Sequence, residues 1–263
     1  MDAPYQAAPD IHVLPSAVPL PGMGVLPVNA YVLMAEEPVL IDALSSIVDP
    51  KAIRWVWLTH DDADHTGSIR RVLELAPQAR LVTHAFNALR MASWWPVPFD
   101  RVQAVRMGDR VAVGDRTLRA VPPPLYDNPM SIGVLDEATG SLFSVDSFGA
   151  VLPEATQDAA EVPEEVLCGG MAGWACSDSP WAHLVDRERF GNVLAGVRRL
   201  EPTRILSSHL PAANGTSLER FLQVLQSVPD CEPALAPSHE QFTQMLAAMM
   251  AGQPEPAPVG GAI

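Results

Sequence analysis

The eight residues His60-Asp61-Asp62-Ala63-Asp64-His65-Thr66-Gly67 constrain this chain more than any other stretch. Five side chains of metal-ligand type fall within six consecutive positions. They follow the apolar run Trp55-Val56-Trp57-Leu58-Thr59, which reads as a buried strand, and they precede a helix-like pattern from Ser68 through Leu75. Imidazoles and carboxylates therefore stand in a turn at a strand's end, where a rigid scaffold aims them. The plainer reading is an acidic, solvated turn in which Asp64 or Thr66 caps a helix. Capping requires one such side chain and leaves His60, Asp62 and His65 without a purpose, so the stretch is read as a metal site.

The rest of the composition narrows the partners. With 17 basic and 31 acidic residues the formal charge is −14, which argues against nucleic acid or an anionic membrane as the main partner. No apolar run has the length of a membrane span, and Met1-Asp2-Ala3-Pro4 lacks the pattern of a signal peptide. Cys168, Cys176 and Cys231 show no zinc-knuckle spacing, and they read as reduced thiols of a cytoplasmic protein. Nearly half of the 263 residues are hydrophobic, enough for a sizeable core.

In chain order, residues 1–20 lie against the domain or form an edge strand. Val28 to Met34 and Val39 to Ile41 form a hairpin that ends at Asp42. Asp42 reads as a turn-capping residue, with support of a metal ligand as the alternative. A strand at 54–59 leads into the opening motif, and the following helix stops before Pro77. Arg80 to Thr83 is a strand ending at His84, which reads as a surface or packing residue. Short β runs follow at 102–105, 110–113, 117–121, 131–135 and 141–145, the last ending at Asp146. Helices are expected over 163–171 and 181–200, then a strand at 203–207 ending at His209. Two further helices, near 217–227 and 238–250, come before a Pro/Gly-rich tail at 253–263. The expected organisation is one domain over residues 1–252 plus that tail. Trp94, Trp95, Phe99, Tyr126, Phe148 and Trp174 are candidate walls of a partly apolar pocket. Trp174 is the first choice because Gly173-Trp174-Ala175-Cys176-Ser177 looks like a loop.

Strand-end Asp42, the His60–His65 cluster, Asp146 and His209 together resemble the metallo-β-lactamase superfamily over roughly residues 24–215. The pattern H-x-D-x-D-H resembles the flavodiiron branch, whose motif is H-x-E-x-D-H. Leu142-Phe143-Ser144-Val145-Asp146-Ser147-Phe148-Gly149 and Ser207-Ser208-His209 are similar to that branch's later motifs. The resemblance implies an α+β fold of the αββα four-layer sandwich type, with two metal ions at one edge. It implies His60 and Asp62 on the first metal, Asp64, His65 and His209 on the second, and Asp146 between them. A carboxylate at Asp62 hardens the site and favours iron, with manganese or zinc as alternatives. The chain departs from the branch in three ways. Asp62 stands where the branch has Glu. The histidine expected before the Asp146 strand is missing, and Tyr126 or Asp127 is the candidate oxygen replacement; an empty first site is the alternative. No flavodoxin-like domain or flavin site is recognised, since the roughly 50 residues after His209 are too few for such a domain.

These features define competing functions. One is a diiron protein that binds or reduces dioxygen or nitric oxide with a separate redox partner. Another is a metallohydrolase acting on a small-molecule ester, thioester, lactone or phosphodiester, with Asp64 or Asp62 orienting a metal-activated water. A third is a binding protein with a degenerate site. A homodimer is compatible with the aromatic patches.

Overall fold

Strands that alternate side chains between two faces can bury both, provided each face meets another layer. The protein, seen in a computed structural model that describes residues 3–20, 22–42, 49–232 and 234–251, is built this way. The tail at 253–263 lies outside the described residues. The first sheet holds β1 (Tyr5–Ala8), β2 (Ile11–Leu20), β3 (Gly24–Leu33), β4 (Val39–Ile41), β5 (Trp55–Trp57), β6 (Arg80–Thr83) and β7 (Val102–Ala104), side by side in chain order. Pairing is antiparallel from β1 to β4 and parallel from β4 to β7. The second sheet runs in the order β13-β12-β11-β10-β9-β8. Its strands are β8 (Arg110–Ala112), β9 (Thr117–Val121), β10 (Gly133–Asp136), β11 (Ser141–Phe143), β12 (Arg204–Leu206) and β13 (Ala213–Asn214). Of these pairs, β11 and β12 are parallel and the others antiparallel.

Helices fill the crossovers. Between β5 and β6 lie α1 (Ala63–Thr66) and α2 (Ile69–Leu75), and between β6 and β7 lies α3 (Ala85–Met91). Between β11 and β12 lie α4 (Glu164–Asp178) and α5 (Arg187–Arg198); α6 (Leu218–Ser227) and α7 (His239–Ala251) follow β13. Residue parity sorts the core into three seams. Ile41, Trp57 and Val82 meet Val134, Phe143 and Leu206 between the sheets. Their neighbours Leu40, Val56 and Leu81 turn outward under Ile69, Val72 and Met91. On the other side Leu135, Leu142 and Ile205 lie under Leu167, Met171, Leu194 and Phe221. The result is the expected αββα sandwich. No helix among the described residues is long and apolar enough to cross a membrane.

Residues 5–20 supply the edge strand expected there: β1 is the edge of the first sheet and covers β2 over Ile11–Val13. Pro15 and Pro19 sit in the remainder of β2, which pairs with β3 alone and tolerates a missing N–H. Two expectations for the helices change. The helix expected at 163–171 runs on to Asp178, so Trp174 is helical and not in a loop. The helix expected at 181–200 is a short 3-10 segment, Pro180–Leu184, followed by α5, because the Asp186 side chain caps the Arg189 N–H and restarts the chain there.

Parallel neighbours end on the same side, so β4 with β5 and β11 with β12 deliver their C-terminal loops to common edges. β3 joins the sheets there: Asn29 N–H donates to the Ser208 carbonyl at 2.8 Å, and Val25 and Leu152 exchange backbone bonds at 2.7 and 2.9 Å. Asp42, Val145 and Phe148 have φ of 57°, 58° and 68°. For a β-branched residue such as Val145 this left-handed backbone costs roughly 1–3 kcal/mol. Ser208 N–H and Ser207 Oγ hold its carbonyl at 2.9 and 3.0 Å. Three of the four described non-glycine residues with positive φ, Glu201 being the other, thus stand at Asp42 or within two residues of Asp146.

Candidate metal centre

His60, His65 and His209 are buried, and in two of the three Nδ1 is tied to an acceptor that fixes the ring. His65 Nδ1 lies 2.9 Å from Asp42 Oδ2, and His209 Nδ1 donates to the Pro27 carbonyl at 2.8 Å. His60 Nδ1 meets Thr59 Oγ1 at 3.1 Å. Thr59 is itself held to Asp42, through its N–H at 3.0 Å and its hydroxyl at 2.9 Å. Asp42 therefore orients His65 directly and His60 through Thr59, in line with the supporting reading of it; the turn it was also expected to cap lies outside the described residues. Holding Nδ1 leaves Nε2 as the free ligand atom.

All three Nε2 atoms face Asp146. His60 Nε2 is 3.4 Å from Asp146 Oδ2, while His65 and His209 Nε2 are 3.1 and 3.2 Å from Oδ1. Asp64 Oδ2 lies 3.4 Å from both His65 and His209. Asp62 Oδ2 and Asp127 Oδ1 lie 3.6 and 4.0 Å from His60. The structure thus brings together every sequence-predicted residue of the two halves, and Asp127 with them. Tyr126 instead stacks on Trp181, with ring centroids 4.8 Å apart, and its carbonyl accepts from the indole N–H at 2.7 Å. His84 accepts from Phe86 N–H and caps α3, a packing role.

The close approaches are not hydrogen bonds. His65 Nε2 and Asp146 Oδ1 are buried and lack a partner of proper geometry, although they lie within hydrogen-bond distance of each other. Buried polar atoms left so are costly, and atoms that share a cation adopt this side-by-side arrangement. The donor set therefore fits metal. Charge agrees with this. Burial works against an ionised Asp146, yet His65 and His60 hold its carboxyl well below the usual range. Burial likewise opposes charge on His209, yet its contacts with Asp146 and Asp64 push it up to about 10. Burial together with His65 lowers His60. The cluster demands positive charge, which protons on His65 and His209 supply when no cation does.

Sequence reasoning missed several supports. Asn128 donates to Asp61 at 3.0 Å and to Asp62 at 3.1 Å, and Arg90 pairs with Asp61 at 3.0 Å. Asn128 thereby positions the shorter Asp62 side chain. Asp178 was also missed: it lies with Asp127 and Asp146 in a group whose oxygens are within 4.8 Å of one another. Extending α4 two turns past Met171 is the signal that would have found it. Of the candidate pocket walls, Trp94 and Phe99 are exposed, whereas Trp95 and Phe148 belong to the core. Trp174 lies 4.9 Å from the His209 ring.

A protein-family model described as ODP family beta lactamase matches residues 35–209. The chain belongs to this family. Diflavin flavoprotein A 1 of Synechocystis is 28% identical over 134 residues, covering 46% of this ODP-family chain and 23% of its own length. A protein named nitric oxide reductase from Moorella thermoacetica is 26% identical over 135 residues, covering 46% and 33%. The match thus spans a third or less of either relative. Rubredoxin oxygen:oxidoreductase from Desulfovibrio gigas superposes with a TM-score of 0.76 at 19% identity, over 88% of this chain and 63% of that one. At that identity the likeness establishes a shared fold.

Proposed function

We propose that this ODP-family protein holds two iron ions and binds or reduces dioxygen or nitric oxide with electrons from a separate donor. Asp146 carries the reading: its two oxygens face different histidines, Oδ2 toward His60 and Oδ1 toward His65 and His209. On this reading His60, Asp62 and Asp127 serve one ion, Asp64, His65 and His209 serve the other, and Asp146 serves both. Asp127 stands in for the missing histidine. Four carboxylates against three imidazoles make an oxygen-rich set, which favours iron or manganese over zinc. The relatives named nitric oxide reductase and rubredoxin oxygen:oxidoreductase support the choice of substrate class.

When bound, the ions supply the redox electrons and Lewis acidity that no side chain here offers. The chain's own residues do the rest. Asp42 and the Pro27 carbonyl keep two imidazoles facing inward. Asn128 holds Asp62 by one oxygen and leaves the other on the His60 side. The Trp174 ring shields His209. Asp62, Asp64 and Asp127 have side chains 33%, 42% and 39% exposed, so a proton arriving from water meets these carboxylates first. Asp62 in place of imidazole weighs against the hydrolase.

Anaerobic loading with ferrous iron, followed by elemental analysis and exposure to each gas, tests the reading. Two irons per chain and a changed absorption spectrum are expected. Stoichiometric iron with no response to either gas overturns it, and ester or phosphodiester turnover in that sample points to the hydrolase.

A further inference from the structure

One stripe of α4 approaches the centre. Gly170, Trp174 and Asp178 are four residues apart and so share a face. At Gly170 a Cβ would come within 2.3 Å of the Val151 carbonyl oxygen, so the bare Cα lets the helix lie against the loop that follows Asp146. One turn on, the Trp174 ring fits over Gly149 and against His209. A further turn places Asp178 among Asp127 and Asp146, with ligand oxygens within 4.8 Å of one another. The Asp178 carboxylate accepts from Ser179 Oγ at 3.2 Å, a bond to one of its two oxygens.

Acids crowd together on many surfaces without a ligand. Here one member differs: Asp146 is 2% exposed, and its Oδ1, which faces His65 and His209, has no hydrogen-bond partner. Carboxylates this close repel unless a proton or a cation stands between them.

We propose that Asp178 is a further ligand of the metal centre, together with Asp127 and Asp146. The proposal rests on the binuclear reading above. It extends the oxygen-rich set and explains how a centre short of one histidine fills its coordination: two acids, one from the loop before β10 and one from the end of α4, take the place of one imidazole. An added carboxylate strengthens the preference for a hard divalent ion over zinc.

Calorimetric titration of the chelator-stripped full chain with Mn2+ alone tests this, using the wild type, Asp178→Asn and Asp178→Glu. The wild type is expected to take up two ions per chain. Asp178→Asn is expected to hold one ion as before and the other at least ten-fold more weakly, while Asp178→Glu, which keeps the charge, stays closer to the wild type. Metal-free Asp178→Asn is expected to melt no lower than the metal-free wild type, because a repelling charge has gone. Two ions bound by Asp178→Asn with unchanged affinity overturn the role of Asp178 and leave the binuclear reading standing. A metal-free Asp178→Asn that melts well below the wild type shows a structural role and also overturns it. No ion bound by the wild type overturns both.

Discussion

Asp127 and Asp178 set the pH response of the metal-free protein. Burial, reinforced by the charge of Asp146, pushes each of them up to about 7 in the fold, against about 3.9 in an unfolded chain. Between those values the folded state binds more protons than the unfolded one, so stability falls as pH rises from about 4 to 7. His209 acts in the same direction over a higher range. Its folded value is about 10 despite burial, owing to Asp146 and Asp64, against about 6.5 unfolded. Its contribution is whole below about pH 6.5 and is lost as pH climbs through 10. His60, lowered by burial and His65, acts the other way below about pH 6.5. It is outweighed by Asp127, Asp178, His209 and the raised His65. The thermal midpoint of chelator-treated protein, followed by circular dichroism, is therefore expected to decline from pH 5 to pH 9. A midpoint that rises between pH 5 and 7 would contradict this account. Single residues were legible in the sequence where chemistry alone marks them: His60, Asp62, Asp64 and His65 could be read because metal-ligand types seldom crowd so closely without cause. Asp42 was ambiguous, because its role depends on a histidine 23 residues away that only the folded chain brings to it.

α4 carries what the sequence concealed. Its glycines at 169, 170 and 173 resemble loop residues, and the expected helix stops at Met171. In the fold Gly170 is a packing requirement, since only a bare Cα fits beneath the Val151 carbonyl, and the helix continues through it. Gly149 makes the complementary allowance on the opposing loop. A Cβ there would come 2.5 Å from Trp174 Nε1 and 2.8 Å from His209 Cβ. The indole is bulky and His209 is fixed by Pro27, so neither neighbour yields easily. Gly149→Ala is expected to destabilise the protein by about 1–3 kcal/mol through overpacking. On the binuclear reading it should also weaken the ion assigned to His209 more than the one assigned to His60. Urea unfolding measures the first effect, and metal titration of the folded variant measures the second. Unchanged stability in Gly149→Ala would mean that Trp174 swings aside and does not brace the centre. Most of the β elements, by contrast, were readable from short apolar runs punctuated by turn residues, because burial on both faces leaves little room for other patterns; the two-residue β13 was not expected.

At the scale of the whole molecule, the centre lies where the two sheets meet. His60, Asp62, Asp64 and His65 follow β5 of the first sheet, whereas Asp146 and His209 follow β11 and β12 of the second. The pairing of the sheets was legible only through the resemblance, since no local pattern says which strand ends converge. Across this seam the described direct links between ligand-type side chains include those of His60 and His65 to Asp146, of His60 to Asp127, and of Asp64 to His209. These contacts join acids to imidazoles that require protons to pair. Metal binding would replace those protons with ions gripped from both sheets, so loading is expected to staple the sandwich shut. A ligand that binds the folded state alone, present at 100 times its Kd, stabilises by about 2.7 kcal/mol. In a chain of this size each kcal/mol raises the midpoint by about 2–4 °C. Saturating one site is therefore expected to raise it by roughly 5–10 °C, read by scanning calorimetry with ferrous or manganous ion in excess. In Asp146→Asn, which removes the charge serving both halves, most of that rise should vanish. Hydrogen exchange provides the spatial check. On loading, protection should increase together in the loops after β5, β11 and β12; an increase confined to the His60–Gly67 loop would mean that the ion is held by one sheet and the seam is left unbridged.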